Sequence, residues 1–270
     1  MTTNLIFIML FTMIIHAVET SSYSIRLAGV RLKKIAVALA IIGIVLLVSR
    51  TSNLLQAVML GNIVDRARVH GDIDMETTIR FILLAASIGT LIALFLYPTL
   101  TKLFGYVIQQ FEIEGSFIRM MKTNNVQKLR YTKKYIRFPK LQMLHRLRVG
   151  GIPKRIMLIN MVVTAIYTAG VLAALYASVL NPNYATTATT ASGLINGFAT
   201  ILLTVLLDPR IALLTEQALQ KENGAETMGK MYGWLMISRF LGTLLAQLLF
   251  VPGAHWILWI ISITNFKKFS

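Results

Sequence analysis

The stretch His16–Val30, HAVETSSYSIRLAGV, sets three ionisable side chains, His16, Glu19 and Arg26, among Thr20, Ser21, Ser22, Tyr23 and Ser24. It starts inside an apolar run and ends at its rim. A charge held in hydrocarbon costs roughly 2.5–3.5 kcal/mol at a helix centre, so such groups need partners or a use. Three chemistries are open to them. His16 and Glu19, three apart on one helix, could ligate a metal, but no third ligand accompanies them and we expect none. They could form a protonatable pair, or His16 could be a hydrogen-bonded interior residue while Glu19 neutralises a cation on another helix. Arginine offers a guanidinium that grips phosphate oxygens bidentately and does not lose its charge.

Two more cations lie inside apolar runs, Arg50 and Arg239. At about 1.5 Å per helical residue, Arg239 lies about 13 Å from the start of its run and Arg50 about 22 Å along its own. Arg26 falls near a membrane face. The sequence therefore predicts cations at three depths, with Glu19 as the counter-ion of Arg239. Polar residues also recur at steps of four: Ser192, Asn196, Thr200, Thr204 and Asp208; Asn160, Thr164 and Thr168; Arg239, Thr243 and Gln247; Thr12, His16 and Thr20. Arg50, Asn53 and Gln56 recur at steps of three. Such spacings keep residues near one helix face, and these faces are expected to turn away from lipid. The hydroxyls among them suit interhelical hydrogen bonds. Gly193 and Gly197 form a GxxxG pair, expected to seat a neighbouring helix closely.

These residues need elements to hold them. The chain has 270 residues, 56% hydrophobic and 14% charged, with a net charge of +16 and no cysteine; its mean hydropathy is +0.66. Ordinary soluble domains are about 25% charged. Apolar runs near the length of a bilayer crossing recur throughout, which predicts an all-α integral membrane protein, one polytopic domain over 1–270 with about six spans. Disulfides and thiol chemistry are excluded. The basic balance reads as loop charge and attraction to anionic membrane lipids, not as nucleic-acid binding.

In order, the expected spans are Leu5–Ser22, Ile35 to about Leu60, Ile79–Tyr97, Ile156–Leu180, Ala191–Leu207 and Met231–Val251. The first reads as a retained span, since no basic residue precedes it and no clean cleavage site follows. Pro98 should break the third span, and Thr99–Met121 continues as an amphipathic helix. Residues 122–155 carry eleven Lys or Arg and no acid, with tyrosines and leucines between them, and read as a basic cytoplasmic apron on the headgroups. Asp208-Pro209 should stop span five and Pro252-Gly253 should break span six, leaving Ala254–Phe266 as an interfacial or re-entrant piece. The basic turn Arg26–Lys34 and the apron share one side, and the uncharged 181–190 turn and the acidic 62–76 segment the other. This places the N-terminus outside. Val48-Ser49-Arg50 and Ile237-Ser238-Arg239 are alike but fall in spans two and six, so they do not make an inverted repeat.

A passage lined with guanidiniums and hydroxyls, opening on a basic apron, suits a lipid whose head is a phosphate or pyrophosphate carrying polar cargo. The head would cross the polar interior while the tail stays in the bilayer. Such movement needs no covalent chemistry and no cofactor, and no nucleotide-binding loop is present to drive it. We take Arg26, Arg50, Arg239, Glu19, His16, Asn53, Asn196 and Asp208 as the candidate path. A transporter or membrane enzyme acting on another polyprenyl-phosphate-linked lipid, and a non-transporting scaffold docking through the apron, remain alternatives. The eleven acids are scattered, which disfavours the enzyme.

His16–Val30, Ser49-Arg50-Thr51-Ser52-Asn53, Ser192-Gly193-Leu194-Ile195-Asn196-Gly197, Asp208-Pro209 and Leu214-Thr215-Glu216 together resemble the Amj family, bacterial alternate lipid II flippases. The resemblance implies that the substrate is lipid II, the undecaprenyl-pyrophosphate-linked peptidoglycan precursor, carried from the inner to the outer leaflet of the cytoplasmic membrane. Six spans enclose little volume for so large a head, which points to a homodimer.

Overall fold

A computed structural model describes residues 3–71, 73–116, 118–119 and 153–266. The elements are α1 (Thr3–Leu32), α2 (Ile35–His70), α3 (Met75–Phe95), α4 (Tyr97–Glu114), α5 (Lys154–Leu180), a 3₁₀ turn (Pro182–Tyr184), α6 (Ala185–Thr190), α7 (Ser192–Leu202), a π turn (Leu203–Leu207), α8 (Asp208–Leu219) and α9 (Gly224–Phe266). Six stretches are long and apolar enough to cross a membrane: α1, α2, α3, α5, the composite 182–219, and α9. The apron expected over 122–155 lies almost entirely outside the described residues. Lys154 and Arg155 open α5.

The helices run further than hydropathy predicted. α1 does not end at Ser22 but carries Arg26 on its last turns, and closes at Lys33, whose φ is +56°. The reversal into α2 is tight because Gly29 has no side chain: a Cβ there would sit 2.5 Å from that of Ala38. α2 continues past Leu60 to His70 and ends on Gly71 in the left-handed conformation. Its polar last turns are held by Arg68, which pairs with Asp65 at 3.2 Å and donates to Ser178 Oγ of α5 at 2.6 Å. Val64 and Ala67 on the same turns are buried. α3 starts on Asp74, whose side chain accepts from the Thr77 N–H at 3.1 Å and hydroxyl at 2.6 Å. These bonds hold the Asp74 carboxyl below the usual carboxylate range. The break before Pro98 is as expected: α3 ends at Phe95, and Pro98 sits in the first turn of α4, where its missing N–H costs nothing.

Two expected breaks are absent. Pro209 lies in the first turn of α8, directly after the π turn, and the chain stays helical to Leu219. The wider turn takes up the ring and the missing donor without unwinding the helix. Pro252 lies inside α9, an uninterrupted 43-residue helix. One lost hydrogen bond is tolerated because Phe250, Ala254 and Ile257 on either side are buried, and Gly253 lies close to Ala173 of α5. Ala254–Phe266 is therefore the end of the same helix, and no seventh element follows it among the described residues.

The core falls into three patches. At the amino-terminal end, Leu5 and Ile8 of α1 pack with Ile79 and Ile82 of α3, Ala173 of α5 and Phe250 of α9. At the opposite end, Tyr23 and Leu27 pack with Leu207, Ile211, Tyr232 and Leu235. A third patch seats Ile108 of α4 on Ile25, Ala28, Ala38 and Ile41 of the α1–α2 hairpin, where Lys34 and Glu112 form an ion pair. The close helix approaches are made by other glycines than expected. A Cβ on Gly89 would overlap the Met13 backbone. One on Gly170 would lie 2.7 Å from Ile195 and Asn196, and one on Gly242 2.6 Å from the Met161 carbonyl. Gly193 and Gly197 have nothing within 4 Å of where a Cβ would be, so the GxxxG pair seats no helix of this chain among the described residues.

Candidate translocation site

Glu19 of α1 and Arg239 of α9 form an ion pair, and Ser49 Oγ of α2 donates to the other Glu19 oxygen at 3.2 Å. Three helices thus meet on one carboxylate, at the middle of α1 and a little over a third of the way along α2 and α9. The pair is not sealed: the Arg239 side chain keeps 14% of its surface exposed and Glu19 21%. His16, one turn from Glu19, is buried within electrostatic reach of both charges, and its Nδ1 has no hydrogen-bond partner among the described residues. The same holds for Arg239 Nε and for the buried hydroxyls of Thr20 and Ser24. α1 therefore presents a file of buried polar atoms running from the ion pair toward Arg26. Unsatisfied groups of this kind cost about 1–3 kcal/mol each, and most buried polar atoms in proteins avoid that cost.

The file is flanked by a satisfied network. Asn160 of α5 donates to Leu235 O at 2.8 Å and Ser238 Oγ at 2.7 Å, and accepts from Tyr23 OH at 3.3 Å. Toward the amino-terminal end, Gln56 of α2 donates to Thr12 Oγ1 at 2.6 Å. At the opposite end Arg26 faces a hollow of about 260 Å³ shared with Leu39, Thr215, Glu216 and Tyr232, where Thr215 Oγ1 and Tyr232 OH lie 2.9 Å apart. Asp208 lies within electrostatic reach of Arg26. The larger hollow, about 460 Å³ between α6, α7 and the end of α9, is walled by threonines, Trp256 and aliphatic residues and has no ionisable group in its lining. The charges lie elsewhere, so the chemistry points away from it.

A family model described as Amj, alternate to MurJ, matches residues 11–261. The chain is also 36% identical over 261 residues to a protein of Bacillus subtilis (strain 168) named lipid II flippase Amj, covering 96% of this chain and 97% of that one. The chain belongs to the Amj family. No solved structure matches it at a significant level.

In this Amj-family chain the eight expected path residues fall into three groups. Glu19, His16 and Arg239 come together, with Glu19 paired to Arg239 as the sequence reading had it. Arg26 and Asp208 form a second group at the far end. The remaining three differ from expectation. Arg50 does not stand at a depth of its own. Its neighbour Ser49 binds Glu19, which puts Arg50 at the level of the ion pair, but its side chain is exposed. α2 starts at Ile35 as expected but runs on to His70, so a depth counted along a span ending near Leu60 misplaced it. Asn53 is exposed, and of the Arg50–Asn53–Gln56 ladder only Gln56 turns inward. Asn196 packs against Gly170 of α5, its Oδ1 buried without a partner among the described residues. Sequence reasoning missed Tyr167 of α5, which lies within electrostatic reach of Glu19, Arg239 and Arg50. A tyrosine at the centre of a span, where aromatic residues favour the interfaces, was the available signal.

Proposed function

We propose that this protein is a flippase for lipid II, carrying its diphosphate head from the inner to the outer leaflet of the cytoplasmic membrane. The observation that carries the reading is the incompletely covered Glu19–Arg239 pair at mid-span in a chain 36% identical along nearly its whole length to a named lipid II flippase. Arg239 is the group that would hold a phosphate oxygen. Glu19 neutralises it while the site is empty and must yield when an anion arrives, since two carboxylate- or phosphate-type partners compete for one guanidinium fork. The buried polar file of Thr20 and Ser24 lies between this point and the Arg26 hollow, and would line the path of the head as it passes.

The basic side, with Arg31, Lys33 and Lys34, would face the cytoplasm and its anionic lipids, leaving the N-terminus outside. The outward-facing, unfilled Gly193–Gly197 stripe leaves room for a second copy, in keeping with a homodimer. No covalent step is required of any residue in this scheme. The test is leaflet-resolved accessibility of lipid II in proteoliposomes holding this protein alone. Lipid II loaded on the inside should become reachable from outside, and Arg239→Ala should stop it. An unchanged distribution with folded wild-type protein would reject the function.

A further inference from the structure

We propose that Arg50 and Tyr167 form a lateral binding site for the phosphate of a polyprenyl lipid, at the membrane centre and on the open side of the Glu19–Arg239 pair. The proposal rests on the flippase reading and adds the place where tail and head part company. Its first support is proximity. Ser49 on Glu19 sets Arg50 beside the ion pair, and Thr164, one turn before Tyr167, lies against Gly242, one turn after Arg239. Its second is exposure. The Tyr167 residue is 47% exposed and Arg50 is exposed, on helices that each border the ion pair. Its third is the lack of satisfaction. Arg50 has no ion pair, and the Tyr167 hydroxyl no hydrogen bond, among the described residues.

An arginine and a phenol facing hydrocarbon without partners are both unfavourable there. Snorkelling brings little relief, because both ends of the bundle are about half a helix away. A phosphate oxygen between them would satisfy both, with the guanidinium supplying charge and the phenol a neutral donor. Charge bookkeeping favours an anion. Arg239 and Arg50 carry two positive charges and Glu19 returns one negative, so the site keeps a net positive charge, whereas the Arg26 hollow meets both Asp208 and Glu216. The outward face of the site continues onto Leu54 and Val171, exposed and apolar, where a prenyl chain can lie.

The chain has no cysteine, so a single one reports locally. The Leu54→Cys variant puts a thiol one turn from Arg50 on its open side, and Leu158→Cys puts one at a lipid-facing but remote position. In phosphatidylcholine nanodiscs, undecaprenyl diphosphate should slow labelling of the Leu54→Cys variant by a lipid-soluble maleimide and leave labelling of the Leu158→Cys variant unchanged, while undecaprenol should slow neither. Adding Arg50→Ala or Tyr167→Phe should remove the protection and cut lipid II flipping about tenfold or more, the scale of one charge-assisted hydrogen bond. Arg50→Lys should keep part of both. Equal protection by undecaprenol, or by phosphatidylglycerol alone, would overturn recognition of a prenyl-linked phosphate. Protection absent while wild-type protein still flips lipid II would overturn the lateral site and leave the flippase reading standing. Protection present with no flipping would reject the flippase reading and retain the site.

Discussion

Two membrane crossings of this protein, Lys154–Leu180 and Pro182–Leu219, have 18-residue apolar stretches of similar mean hydropathy, 2.0 and 1.7, but 56% of the first stretch lies buried inside the bundle and only 17% of the second. The first is one continuous helix, α5, which places Asn160, Thr164 and Thr168 in the interior and holds Tyr167 within reach of the central charges. The second is built of short pieces joined by a π turn, and Leu194, Phe198, Ile201 and Val205 face outward. Of its polar ladder, Thr200 and Thr204 are exposed as well. The difference teaches that apolar length sets how many crossings there are, and packing sets which of them is a scaffold. The more buried crossing braces the site that α1, α2 and α9 form, through Asn160 on Ser238 beside Arg239, while the segmented one is an outer cover with little of itself buried.

The sharpest way to break this contrast is at the charges that the scaffold positions. Arg239→Ala leaves Glu19 without its cation, so flipping should be lost and stability should fall by about 3–5 kcal/mol, measured by thermal unfolding in detergent. The double neutral variant Glu19→Gln with Arg239→Gln should recover much of the stability and none of the transport. Recovery of both would make the pair structural only.

Next come the glycines. Gly242→Ala pushes a methyl against the Met161 carbonyl and Thr164 and should lower Tm by several degrees, the scale of a roughly 1–3 kcal/mol overpacking. Gly193→Ala and Gly197→Ala meet open space and should leave the monomer's Tm unchanged. A loss of transport in the latter with Tm intact would place a partner helix on that face.

Hydrogen exchange should separate the two crossings directly. Amides of 192–219 should exchange about tenfold faster than those of 154–180, because a π turn and a thin buried face lower the cost of local opening. Equal protection would erase the distinction between scaffold and cover. The smallest effect is expected at Asp74, outside both crossings. Its carboxyl is held below its ordinary pKa, so its contribution is present above that value and fades as pH falls through the lowered one. Asp74→Ala should lower Tm slightly at neutral pH and not at all in strong acid.

The number of crossings was legible because apolar runs of bilayer length have few other uses in a chain with so few charges. Glu19 and Arg239 could be matched in advance because two opposite charges in hydrocarbon have little choice but each other. The polar ladders were less legible. A step of four overshoots the helical turn by about 40°, so a three-member ladder such as Asn160–Thr168 stays on one face, while the five members from Ser192 to Asp208 wind round to the other. A step of three undershoots, and Arg50, Asn53 and Gln56 spread in the opposite sense, leaving Gln56 inside and the other two out.

By itself, then, the sequence determined the all-helical membrane class, the approximate spans and the pairing of the two strongest intramembrane charges, since each follows from the cost of placing backbone and charge in lipid. Only the tertiary structure decided that Pro209 and Pro252 do not end their helices, that Gly193 and Gly197 face outward, and that Arg50 and Tyr167 both come within reach of the Glu19–Arg239 pair. Those outcomes depend on which helix lies against which, and at what height, and neither quantity is written in the hydropathy of any one segment.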